Sequence, residues 1–275
     1  MVKGPTVSLI TKTENPELAV YKAALNCTSS LPIASLQASD TASRDALIQR
    51  VLASRHMSIL EHASFTFGIE GVSRALSHQL VRHRHASFGQ CSQRYTCFGN
   101  KEFRVPPSVA GKKEALQVFL ECMDAIQQGY DVLCSLGVPQ EDARYLLPNA
   151  AQTKLVMTMN ARELRHFFNL RCCTRAQWEI RSLANAMLQI CQAEAPALFT
   201  YAGAFCREFG TCPEGSRSCG LYQGMPQVSS VKSEENTQQY LNTKGNENES
   251  VQKERKGRAS SPCLEGTPFA QGSAL

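Results

Sequence analysis

No run of apolar residues in this 275-residue chain approaches the roughly 20 needed to cross a bilayer. The opening MVKGPTVSLITKTENPELAV lacks the continuous apolar stretch of a secretory signal, so a soluble, cytoplasmic protein is the expectation. Glycine-rich Rossmann and Walker loops are missing, as is Gly-x-Ser-x-Gly, and neither a dinucleotide domain of the Rossmann type nor a serine-nucleophile elbow is supported. Metal-ligand spacing is also wanting. His62, His78, His83 and His85 contain no His-Glu-x-x-His and no i,i+4 pair. Cys206, Cys212 and Cys219 stand five and six residues apart, wider than the two to four of most zinc pairs, so the expectation is no metal. Charged residues are few, at 19%, against 43% hydrophobic, a balance that excludes wholesale disorder and provides for a sizeable core.

Cysteine, by contrast, is plentiful. Twelve in a chain of this length, with Cys172 and Cys173 adjacent, read as reduced thiols and not as a disulfide scaffold. The net charge of +5 suits an anionic small ligand as well as a nucleic acid. From about Gly215 the composition turns to Ser, Gln, Asn, Gly, Glu and Lys without hydrophobic periodicity, so residues 1–214 are expected to form one domain and residues 215–275 a disordered polar tail. Residues 228–275 carry six basic and six acidic side chains, which leaves the positive excess to the folded part.

Hydrophobic spacing predicts an α+β fold, rich in helix, with a small, mainly antiparallel sheet. A strand is expected at Val7–Ile10, and Asn15 with Pro16 marks the start of a helix. Arg44–Ser54 and Val72–Arg82 have helical periods, whereas Phe65, Phe67 and Ile69 alternate as in a strand over Ser64–Ile69. Arg94–Phe98 and Phe103–Val105 are expected to pair as a hairpin. Lys112–Leu136 is the longest predicted helix, closed by Gly137, and Pro139 opens a short one. Lys154–Met159 reads as a strand, followed by helices at Ala161–Leu170, Ala176–Ala193 and Ala197–Phe209.

The densest polar stretch runs from Arg82 to Tyr95 and holds three arginines, two histidines and two serines. Guanidinium groups grip phosphate with two parallel hydrogen bonds, hydroxyls add neutral donors, and Gly89 allows close backbone approach, so the stretch reads as a phosphate cradle or as a solvated basic loop. Glu141 and Arg144 stand three apart, the spacing of an ordinary ion pair on one helix face. Arg171 falls at a helix end, where a cation complements the macrodipole.

Arg82-His83-Arg84, seven residues, then Ser92 and Arg94-Tyr95 resembles the signature of the flavin-dependent thymidylate synthases. His56 to His62 with Phe65-Thr66-Phe67 is similar to that family's preceding segment. Gly137-Val138-Pro139, Glu141, Ala143-Arg144 and Leu147-Pro148 resemble its middle, and Asn160-Ala161-Arg162, Asn169-Leu170-Arg171 and Ala176 to Ile180 its C-terminal block. The likeness spans roughly Val7 to Phe209. It implies a fold particular to that family, a homotetramer with FAD sites at subunit interfaces, and reductive methylation of dUMP to dTMP with 5,10-methylenetetrahydrofolate as one-carbon donor and NADPH as reductant.

By the same resemblance, Ser58, Arg82, His83, Arg84, Gln90, Asn160, Ala161, Arg162 and His166 would line the FAD site. Gln79, Leu80, Val81, Arg82, Gln90, Cys91, Ser92, Gln93, Arg94, Arg144 and Arg171 would hold dUMP, with Arg171 stabilising negative charge on the uracil and no cysteine nucleophile. Two departures stand out: Gly89-Gln90 replaces the family's usual Asn-Glu, and His166 occupies a position where an amide residue is often found. Two other readings remain: a flavin-binding homologue impaired by Gln90, and an RNA- or DNA-binding protein that stacks bases on Phe88 and Tyr95. Neither a nucleic-acid nor a membrane partner is the expectation.

Overall fold

The computed structural model describes residues 4–37, 40–96, 98 and 102–221, all within the first of the chain's two units, residues 1–227. Expectations for Cys97, for 99–101 and for the polar tail beyond 221 lie outside the described residues. Strands β1 (Thr6–Lys12), β2 (Ser64–Ser73), β3 (Ala86–Gln90) and β4 (Gln152–Asn160) form an antiparallel sheet in the order β1-β2-β4-β3. The described helices are α1 (Pro16–Asn26), α2 (Thr41–Ala53), α3 (Arg74–Leu80), α4 (Pro107–Ala110), α5 (Lys113–Ser135), α6 (Gln140–Ala143), α7 (Ala161–Arg171), α8 (Trp178–Glu194), α9 (Pro196–Phe199) and α10 (Phe205–Phe209). This is the expected α+β class.

One sheet face makes the core. Phe65, Phe67 and Ile69 of β2 and Leu155, Met157 and Met159 of β4 alternate inward with period two, and all are buried. Against them lie Leu164, Phe167 and Phe168 of α7 and Ile180, Leu183, Met187 and Leu188 of α8. Each such side chain taken out of water contributes about 1.5–3 kcal/mol. Phe199 meets both layers, its ring 5.5 Å from Phe65 and 6.1 Å from Phe168. On the opposite face Thr66 and Thr158 share a 2.9 Å hydrogen bond, and the exposed Val156 lies between Gly68 and Gly89 in the register.

Local signals explain most boundaries. The Asn15 carboxamide oxygen accepts from the Leu18 N–H at 3.0 Å, so α1 begins where the Asn-Pro pair predicts. Gly137, at φ +81°, follows the end of α5.

Four expectations are corrected. Val72 belongs to β2 and not to a helix, because Gly71 at φ +68° accommodates an irregularity that lets the strand run on to Ser73. The run Arg82–Tyr95 is no continuous loop, since Ala86 and Phe88 anchor β3 on the core. Arg94–Thr96 is a turn held by Thr96 N–H to Ser92 O at 3.2 Å, while Phe103 bridges Ala151 instead of pairing with Arg94–Phe98. Ala197–Phe209 is two helices, broken at Gly203 (φ +154°), whose carbonyl accepts from the Asn169 side chain at 3.0 Å.

Candidate functional site

The polar cluster is built outward from the start of α3. Ser73 caps this helix through its hydroxyl, which accepts from the Leu76 N–H at 3.0 Å. The same residue donates to Glu179, from its N–H at 2.8 Å and its hydroxyl at 2.5 Å. Arg104 approaches the same carboxylate at 3.4 Å and lies over the Trp178 ring, so a fully buried acid at the start of α8 fixes where α3 begins. Arg104 is marked by no local sequence pattern, and Glu179 is singled out only as part of the Ala176–Ile180 segment.

From α3 the chain delivers Gln79, Leu80, Val81 and then Arg82-His83-Arg84. Gln79 is partly buried, Leu80 is entirely inside the core and Val81 exposed, so a ligand contact at position 80 falls to its backbone. Arg82 and Arg84 are exposed, and neither guanidinium has a hydrogen-bond or ion-pair partner among the described residues.

His83 lies between them and is buried. Its Nδ1 is 3.0 Å from Glu163 Oε1, and its Nε2 accepts the Nε–H of Arg171 at 3.2 Å. Both ring nitrogens are thus taken within the chain, and only the main chain of His83 is left for a cofactor. Rings of Phe167 and His166 close on it at 5.0 and 5.9 Å. Burial pushes the Arg171 guanidinium below its ordinary range, and the positive charge of Arg82 pushes it further. Two cations held against each other in a partly dry site are a standing demand for an anion.

A second such pair lies alongside. Arg74, at the start of α3, is shifted down by burial and then by Arg144, with Cys91 acting in the opposite direction. Arg74 was not among the expected site residues; it stands at the first helical position, where a cation opposes the macrodipole, but the helical period running back to Val72 hides this in the sequence. Arg144 gives its Nε–H to the Glu141 carbonyl at 3.0 Å, and the Glu141 carboxylate pairs instead with Arg94 at 2.7 Å, contrary to the i,i+3 expectation. Cys91 donates its N–H to Lys154 O at 2.9 Å, and Ser92 opens the turn that carries the partly buried Gln93 and Arg94. Gln90 points toward β4 and donates to Thr153 Oγ1 at 3.2 Å.

The remaining residues expected at the flavin surround the N-terminus of α7. Asn160 caps the helix by accepting the Glu163 N–H at 2.9 Å, and the Ala161 N–H donates to Ala63 O at 2.7 Å. Arg162, half exposed, pairs with Glu61 at 2.5 Å, one short turn from the exposed Ser58, and His166 is exposed on the same helix. The structure therefore brings together Arg82, His83, His166 and Arg171 as one group and Arg74, Cys91, Arg94 and Arg144 as another.

Burial pushes the Cys172 thiol up to about 12, which disfavours the reactive thiolate. Among the described residues no three His, Cys, Asp or Glu side chains are placed to hold a metal ion, and no helix is long and apolar enough to cross a membrane. Phe88 packs against the core, which removes one of the two supposed base-stacking platforms.

Comparison with known proteins identifies the family. Residues 8–197 match the family model described as thymidylate synthase complementing protein. A flavin-dependent thymidylate synthase of Geobacter sulfurreducens is 52% identical over 217 residues, covering 78% of this chain and 93% of that protein. One from Clostridium tetani is 42% identical over 243 residues, covering 82% and 97%. Among solved structures, a UMP/dUMP methylase, PolB, from Streptomyces cacaoi bound with 5-Br dUMP superposes with a TM-score of 0.65 at 27% identity, covering 72% of this chain and 94% of that one. By its sequence and its fold, the chain belongs to the flavin-dependent thymidylate synthases.

Proposed function

We propose that this protein catalyses the reductive methylation of dUMP to dTMP, for dTTP synthesis in the cytoplasm, with 5,10-methylenetetrahydrofolate as one-carbon donor, FAD as bound cofactor and NADPH as reductant. The observation that carries this reading is the pairing of Arg82 with Arg171 and of Arg74 with Arg144, four guanidiniums without a carboxylate partner among the described residues. Such groups suit phosphate, which a nucleoside monophosphate and a flavin dinucleotide both supply.

The residues present fit FAD. Arg82 and Arg84 offer two unpaired forks for a pyrophosphate, and Ser58, Asn160, Ala161, Arg162, Gln90 and His166 provide further polar atoms or backbone nearby. Bound, the flavin supplies hydride. Arg74, Ser92, Arg94 and Arg144 hold the dUMP phosphate, with Gln79, Val81 and Gln93 alongside. Arg171 faces the base, where a fixed cation in a drying site stabilises the negative charge that grows on uracil. The apolar residues Val118, Leu120 and Val132 exposed on α5 support association into a homotetramer, the assembly in which members of the family build their flavin sites.

The second reading, an impaired homologue, rests on Gln90. Its amide keeps an acceptor and adds donors but cannot take a proton. Visible absorption of the purified protein, followed by NADPH oxidation with and without dUMP, separates the two. A yellow protein whose NADPH oxidation depends on dUMP supports the synthase, while a yellow protein indifferent to dUMP supports the impaired homologue.

A further inference from the structure

We propose that Glu163 is a positioning residue for this reaction, acting through His83 to orient Arg171. The proposal rests on the reading of Arg171 given above. Glu163, Phe167 and Arg171 recur at i, i+4 and i+8 and so share one face of α7, and His83 is set against that face. The Glu163 N–H is satisfied by Asn160, yet its side chain is turned inward and is only 8% exposed. A carboxylate in the first turn of a helix gains from the macrodipole while remaining in water, so its burial is explained by the partner that it meets inside.

That partner's chemistry is directional. An ionised carboxylate only accepts, so the imidazole nitrogen 3.0 Å from Glu163 carries the proton. In the neutral ring the other nitrogen is then bare, and it is the one that receives Arg171 Nε–H. A guanidinium cannot accept, so the opposite tautomer would set donor against donor. Glu163 therefore selects the tautomer that holds Arg171. Phe167 and His166 fix the plane of the ring, and Arg171 keeps its two terminal nitrogens for a ligand.

The test uses the full-length, flavin-loaded protein with Glu163→Leu, Arg171→Ala and the double variant. Glu163→Leu, which offers no acceptor to His83 Nδ1–H, is expected to lower kcat by about 10- to 100-fold, the range commanded by outer partners of reacting groups. KM for dUMP should stay within about twofold, and the double variant should be no slower than Arg171→Ala, as for residues acting in one chain. Glu163→Asp should recover part of the loss. Independently of turnover, nitrogen-15 NMR should show His83 as the Nδ1–H tautomer in the unchanged protein. An unchanged kcat in Glu163→Leu beside an inactive Arg171→Ala, or a predominant Nε2–H tautomer, overturns the proposal. A fully active Arg171→Ala overturns the reading of Arg171 and the relay with it.

Discussion

Arg94 finds its carboxylate 47 residues along the chain, with its Nη2 2.7 Å and its Nε 2.8 Å from Glu141. Arg144, three residues from that acid, takes only its carbonyl. One glutamate thus orients two arginines, one with its side chain and one with its backbone, and leaves the charge of Arg144 uncompensated beside Arg74.

Glu141→Ala should then separate binding from stability. Both partners of the pair are about half exposed, at 48% and 47%, so its removal should cost under about 1 kcal/mol of stability. KM for dUMP should rise by up to about tenfold, or 1.4 kcal/mol, as Arg94 loses its orientation. Steady-state kinetics beside a thermal melt reads both.

Arg171→Lys keeps the charge and loses the planar fork, and Arg171→Ala loses both. Turnover should fall in that order, with the alanine variant down by about 100- to 1,000-fold, the loss typical of a missing charge-stabilising donor. Retained flavin absorbance in both variants would locate the effect at the nucleotide.

The buried Glu179 makes a strictly structural prediction. Glu179→Ala strips Ser73 of its acceptor and Arg104 of its nearby acid, and should cost about 3–5 kcal/mol in denaturant unfolding. Glu179→Gln, whose amide oxygen still accepts from Ser73, should cost less.

Thiol reactivity should follow position. A hydrogen bond with the Thr174 side chain is the main cause holding the exposed Cys219 thiol below its ordinary range, while burial holds Cys172 near 12. Brief alkylation at pH 8, read by peptide mass spectrometry, should label Cys219 well ahead of Cys172. Replacing Cys172 and Cys173 together by alanine should leave most of the turnover.

The readability of the sequence followed how local each cause was. Asn15-Pro16, the alternation of Phe65, Phe67 and Ile69, and Gly137 carry their own signals, and those elements lie where the pattern places them. Beyond Gly71 the pattern misleads, since Val72, Leu76 and Leu80 keep a helical period although Val72 lies in a strand. The arginine motif is legible as a cluster of cations. Its internal wiring is not, because Glu163 and His83 are 80 residues apart and Ser73 and Glu179 are 106 apart. Arg94 with Glu141 shows the same limit, where a nearer and plausible partner in sequence loses to a distant one in space.

The most direct measurement of the central claim follows the carbon. The flavin-loaded protein is incubated with dUMP, NADPH and 5,10-methylenetetrahydrofolate carrying carbon-13 in its methylene group, and the nucleotides are read by mass spectrometry. The account predicts dTMP heavier by one mass unit from the label, formed only when dUMP, folate and reductant are all present. Unlabelled or absent dTMP from a protein with its flavin bound would contradict it.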